Sequence, residues 1–115
     1  MLVNENNSVP YMKSLATCLN RMVLDGYTED FQMTEEGLFG INNRVTYGPQ
    51  QIKVANFFRF EGMSDPDDNA VLYVIETEDG TKGTLIDAYG IYHDPRISRF
   101  MKQVEEVNKK VNNNR

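Results

Sequence analysis

Two groups of residues in this chain have the types and spacing to do chemistry. The string SDPDDN, residues 64–69, sets three aspartates and an asparagine within six positions. Counted from Asp65, ligand-type side chains fall at positions 1 (Asp65), 3 (Asp67), 5 (Asn69) and 12 (Glu76), which is the spacing of a calcium-binding EF-hand loop. The second group is Arg59, Glu61, Asp87, Tyr89, Tyr92 and His93. Their charged, hydroxyl and imidazole groups would line a polar ligand pocket wherever neighbouring strands put them on one face.

A calcium loop needs glycine at position 6 for its sharp corner, and this chain has Ala70 there. Residues 71–75, VLYVI, have the composition of a strand rather than of a loop or helix. An extended strand would carry Glu76 about 20 Å beyond Ala70, at ~3.3 Å per residue, so the twelfth ligand could not return to the ion. Asp65, Asp67 and Asp68 are therefore expected to form an acidic connection between two strands. Pro66 biases Asp65 toward an extended backbone. Asp and Asn side chains also accept bonds from nearby backbone N–H groups where strand pairing ends. A cation held by these aspartates would need ligands from elsewhere in the fold, and no cofactor is expected.

Other chemical signals are weaker. The segment ETEDGTKGT, residues 76–84, has the acidic-then-glycine order of a phosphate loop. Such a loop needs a strand-to-helix transition, whereas Asp79-Gly80 between two apolar runs is a two-residue hairpin signal. His93 is the single histidine, and no G-x-S-x-G string supplies a nucleophile for it. It is expected in a loop just before a helix. Cys18, the single cysteine, cannot form an internal disulfide and is expected to be a buried, inert thiol at the edge of a helix stripe.

These residues must be positioned by a small set of elements. Apolar residues at 12, 15, 16, 19, 22 and 23 predict a helix over 9–25, with Ser8 as N-cap, Pro10 in the first turn and Gly26 at the C-terminal stop. Short strands are expected over 29–33 and 38–42, joined by the turn TEEG, followed by a loop through NNRVTYGPQQ. Residues 52–61 alternate, so that Ile52, Val54, Phe58 and Phe60 would share one face, and Lys53, Phe57, Arg59 and Glu61 the other. A two-residue loop at Asp79-Gly80 would pair Glu78 with Thr81, Val74 with Leu85 and Tyr73 with Ile86. On that register Leu72, Val74 and Glu76 would share a mixed face with Asp87, Leu85 and Gly83, half-solvated or covered by another chain. Asp94-Pro95 opens a last helix whose stripe is Ile97, Phe100, Met101, Val104 and Val107. The expected fold is α+β: an antiparallel sheet of about four to five strands with the N-terminal and C-terminal helices packed on one face.

The bulk properties bound the function. At 115 residues the chain is expected to be a single domain over 1–115, with residues 1–8 and 109–115 frayed. The hydrophobic content of 40% is that of a globular protein. No apolar run approaches the ~20 residues needed to span a bilayer, and no secretory signal opens the chain. A cytoplasmic protein is expected. The net charge of −5 argues against nonspecific binding to nucleic acid or anionic membranes. Glu61, Asp65, Asp67, Asp68, Glu76, Glu78 and Asp79 fall in one stretch without a base, while the region from Arg96 onward is basic.

The strings FRFEGMSDPDDNAVLYVIE and KGTLIDAYGIYHDP, with GYTEDF upstream, resemble a family of small bacterial proteins common in Bacteroidetes that often carries the name phosphoribosylpyrophosphate synthetase. The resemblance covers roughly residues 12–105 and transfers no functional residue. Its name implies phosphate-ester or nucleotide chemistry. The chain itself has no glycine-rich phosphate loop after a strand and no room for a second domain. The expectation is therefore a non-enzymatic binding or regulatory module, with a homodimer through the mixed sheet face or an edge strand as one partner arrangement. The alternative is a small phosphate-ester or nucleotide-related enzyme using Arg59, Glu61 and Asp87.

Overall fold

The computed structural model describes residues 11–60, 70–88 and 94–113, with side chains over 15–60, 70–87 and 94–107. Helix α1 (Tyr11–Leu24) is followed by strands β1 (Glu29–Thr34), β2 (Gly37–Gly40) and β3 (Thr46–Tyr47). A single 3-10 turn, Pro49–Gln51, leads into β4 (Ile52–Phe60), then β5 (Ala70–Thr77), β6 (Lys82–Ala88) and helix α2 (Pro95–Asn113). No helix among the described residues is long and apolar enough to cross a membrane.

Local signals set the helix ends. The α1 helix closes with Tyr27 N–H donating to the Met22 carbonyl at 2.9 Å and Gly26 N–H to Val23 at 3.1 Å. That pair of bonds is a Schellman closure, with Gly26 at φ +104°. At the start of α2, Asp94 Oδ1 accepts the Arg96 N–H at 2.9 Å, with Pro95 at the first helical position. The expected cap at Ser8 lies outside the described residues.

The sheet has six strands in the order β3-β2-β1-β6-β5-β4. It is two three-stranded antiparallel meanders, β1-β2-β3 and β4-β5-β6, joined by a parallel pair of β1 with β6 through Glu29–Gly83 and Asp30–Thr84. The expected all-antiparallel sheet of four to five strands is therefore corrected to a mixed sheet of six. Gly83 is required at the join, because a Cβ there would lie 2.2 Å from the Glu29 carbonyl oxygen.

The sheet cannot be flat. Only residues 48–51 connect β3 to β4, a chain reach of at most ~18 Å. In a flat sheet those opposite edges would stand about 24 Å apart, at ~4.8 Å per strand. The sheet therefore curls so that its edges approach at one end. There the Tyr47 hydroxyl on β3 reaches Asp79 beyond β5 at 2.8 Å.

The helices lie on opposite faces, which corrects the expectation that both pack on one. Ile97, Phe100 and Val104 of α2 pack with Phe31, Leu38, Tyr47, Ile52, Ile75 and Leu85. On the other face Cys18, Leu15, Leu19 and Met22 of α1 pack with Phe58, Phe60, Leu72 and Val74. The β4 strand supplies both cores because its register shifts between Val54 and Asn56, leaving Ala55 as a bulge. Ile52 and Val54 thus face α2, while Phe58 and Phe60 face α1. The uninterrupted alternation expected for residues 52–61 would have put all four on one side.

The β5–β6 register also differs by one residue from the expected one. Val74 pairs with Thr84 and Tyr73 with Leu85. The loop has three residues, Glu78 to Gly80, closed by Thr77 N–H to the Thr81 carbonyl at 2.9 Å. A two-residue type I′ loop needs positive φ at both central positions. Gly80 has it, at +92°, but Asp79 does not. Asp79 instead accepts bonds from Thr77 and Thr81 on either side of it. That one-residue shift exchanges the faces of β6.

Candidate functional site

The β6 shift decides which of the candidate residues meet. Arg59 on β4 is directly opposite Val71 on β5, and Val71 is opposite Asp87 on β6. Arg59, Val71 and Asp87 therefore form one cross-strand row on the α2 face, with the backbones of the two charged residues two strand spacings apart, about 10 Å. In the adjacent row Phe57 stands opposite Tyr73, with ring centroids 6.3 Å apart and planes inclined by 33°. Phe57 is 50% exposed, and Arg59 is exposed.

Asp87 is buried and accepts the Asp94 N–H at 3.1 Å. It ties β6 to the residue that caps α2. Asp94 in turn takes Arg96 in a two-point pair, Nε to Oδ1 at 3.2 Å and Nη2 to Oδ2 at 3.0 Å. The Arg96 hydrogen bonds hold the Asp94 carboxyl below the usual aspartate range. Burial pushes the Tyr73 phenol up; the Asp87 charge adds to that shift and the Arg59 charge opposes it. The Tyr73 phenol therefore senses both members of the charged row.

Of the expected pocket residues, the structure brings together Arg59 and Asp87. Glu61, Tyr89, Tyr92 and His93 lie outside the described residues, as do Asp65, Asp67 and Asp68. Glu76, the would-be twelfth calcium ligand, sits inside β5, flanked by Lys53 on β4 and Lys82 on β6. It accepts the Tyr27 hydroxyl at 2.7 Å and lies 3.9 Å from Lys53 Nζ. Lys82 Nζ lies 5.4 Å from the centre of the Tyr27 ring. The expected mixed face of β5, which contains Leu72, Val74 and Glu76, is covered by α1 rather than free for another chain. Among the described residues no three His, Cys, Asp or Glu side chains are grouped to hold a metal ion.

Sequence reasoning missed Tyr73 and Phe57. Tyr73 lies inside an apolar run, and Phe57 reads as an ordinary strand aromatic. Only the pairing of β4 with β5 shows them as one surface. The expected burial of Cys18 is borne out: its thiol is the most buried side chain described on α1, at 5% exposure. Burial pushes its pKa up, against a smaller opposing effect of Arg21.

A second polar cluster pins the curled end of the sheet. Tyr47 O–H donates to Asp79 Oδ2, while Asn43 Nδ2 donates to the Tyr47 oxygen at 2.8 Å. The Thr77 hydroxyl donates to Asp79 Oδ1, and the Thr81 N–H reaches the same oxygen at 3.1 Å. The bonds from Thr77 and Tyr47 hold the Asp79 carboxyl down at about 2. With every partner inside the fold, this cluster joins the β2–β3 and β5–β6 connections.

Fold and site together define an α+β domain whose curled mixed sheet carries an aromatic pair and a charged row on one face. Comparison with protein-family models, with curated proteins and with solved structures finds no match to this chain.

Proposed function

We propose that the chain is a non-enzymatic binding or regulatory module, and that its ligand docks on the face formed by Phe57, Arg59 and Tyr73. The observation supporting this is the half-exposed Phe57 ring beside Tyr73, in the row next to Arg59. Aromatic and arginine side chains concentrate binding energy more than other surface types. Asp87 has a positional part in this scheme, because its carboxylate already holds the backbone at the start of α2. The complementary ligand presents an anionic group for Arg59 next to a flat apolar group for Phe57.

Edge-to-edge pairing with a second copy is the less favoured arrangement. β4 is an edge strand, but it carries a bulge at Ala55 and exposed Lys53 and Arg59, features that discourage strand addition.

Phenyl phosphate, titrated into the isotope-labelled full chain, tests the proposal. Amide shifts centred on residues 57–59 and 71–73, lost in Phe57→Ala and Arg59→Ala variants whose far-UV circular dichroism shows a retained fold, are the expected result. Absence of those shifts overturns the site. Release of inorganic phosphate by the wild type but not by Arg59→Ala overturns the non-enzymatic assignment and favours the phosphate-ester alternative.

A further inference from the structure

The strongest feature outside that face is an open groove of about 330 Å³ between the β1–β2 turn and α2. Its volume falls at the lower end of the ~300–1,000 Å³ usual for small-molecule sites. One wall is the turn that presents Glu35 and Glu36. The other is the first two turns of α2, with Arg96 and Arg99. Met33 and Phe100 supply apolar surface between them.

The two walls carry opposite charge. Cations at a helix N-terminus oppose the positive end of the helix dipole, where acids are preferred. The first turn of α2 has no acid. Arg96 is compensated by its two-point pair with Asp94. Arg99, Glu35 and Glu36 make no ion pair within 4 Å among the described residues, although the Glu35 charge acts on Arg96 across the groove and the Arg99 charge acts on Asp94. The acidic wall is also held in place: Thr34 Oγ1 donates to the Gly37 carbonyl at 2.8 Å and accepts the Glu36 N–H at 3.3 Å.

We infer that this groove binds a small zwitterion with an apolar body, the chemistry of a free apolar amino acid. Its ammonium faces Glu35 and Glu36, its carboxylate faces Arg99, and its apolar group lies along Met33. Arg96, already engaged by Asp94, adds positive potential behind Arg99. This site is separate from the Phe57–Arg59 face and does not depend on it.

L-Phenylalanine is the probe, with phenethylamine (no carboxylate) and 3-phenylpropionate (no ammonium) as single-ended controls, each followed by amide shifts in the full chain. The expected result is movement of residues 34–37 and 96–103 with L-phenylalanine, and at least about tenfold weaker binding of either control. Arg99→Gln, and Glu35→Gln with Glu36→Gln, should each abolish the preference for the zwitterion; all three side chains are exposed, so the fold is retained. Equal binding of the three probes overturns the inference. So does an unchanged titration in the variants, or the absence of shifts up to about 10 mM, ten times the dissociation constant of a ~1 mM site.

Discussion

Arg59 and Asp87 stand in one cross-strand row, separated by Val71 on the strand between them. Neither residue is near the other in the sequence. Their relationship depends on a bulge in β4 and on a three-residue rather than two-residue β5–β6 loop, each of which changes the face of a strand.

The two members of that row should behave differently when removed. Asp87 is buried and holds the Asp94 amide, so Asp87→Ala strands a donor at the start of α2. A loss of about 1–3 kcal/mol is expected, read as a lower urea midpoint at unchanged slope. Asp87→Asn retains an acceptor and should recover part of it. Arg59 is exposed, and Arg59→Ala should move the midpoint less than Asp87→Ala does. Equal losses at the two positions would contradict this assignment of roles.

The Asp79 carboxyl gives the acid limb of stability a definite sign. Its folded-state value of about 2 lies below the ordinary 3.8, so folding favours the charged form. The contribution is complete above about pH 4 and is lost as the pH falls toward 2. Urea midpoints between pH 2 and 6 should therefore fall more steeply for the wild type than for Asp79→Asn. Thr77→Val removes the leading donor and should raise the Asp79 pKa, which a carboxylate-resolved NMR titration reads directly.

Deleting Ala55 tests the two-core role of β4. Without the bulge, either Ile52 and Val54 or Phe58 and Phe60 must turn away from their helix. Exposing two such side chains costs about 3–6 kcal/mol, a large share of the ~5–15 kcal/mol typical of a domain. The expected outcome is loss of near-UV circular dichroism with retained far-UV signal. A deletion variant as stable as the wild type would show that the bulge is incidental.

The sequence makes legible those features whose cause is local. The Gly26 stop, the Asp94-Pro95 start, the TEEG turn and the α2 stripe all depend on residues within a few positions of one another, and all appear in the structure. Asn56 on the otherwise apolar face of β4 was the one visible trace of the bulge. The β5–β6 loop length could not be read from Asp79-Gly80 alone. The backbone there answers to bonds from Thr77, Thr81 and the distant Tyr47. The opposite placement of the helices follows from the bulge and was hidden with it. The groove over α2 was equally invisible, since Glu35 and Arg99 lie far apart in the chain and read singly as solvated charges.

The parallel join of β1 to β6 links residues 29 and 83, a separation of 54 (83 − 29), whereas each meander pairs strands that are consecutive in the chain. Such a molecule should assemble as two cooperative units, with the long-range ladder completed last. Hydrogen exchange under native conditions should then resolve two opening energies, with the amides of β1-β2-β3 exchanging before those of β4-β5-β6. The domain would act in that respect as two small sheets that share a seam, and Gly83 lies on the seam.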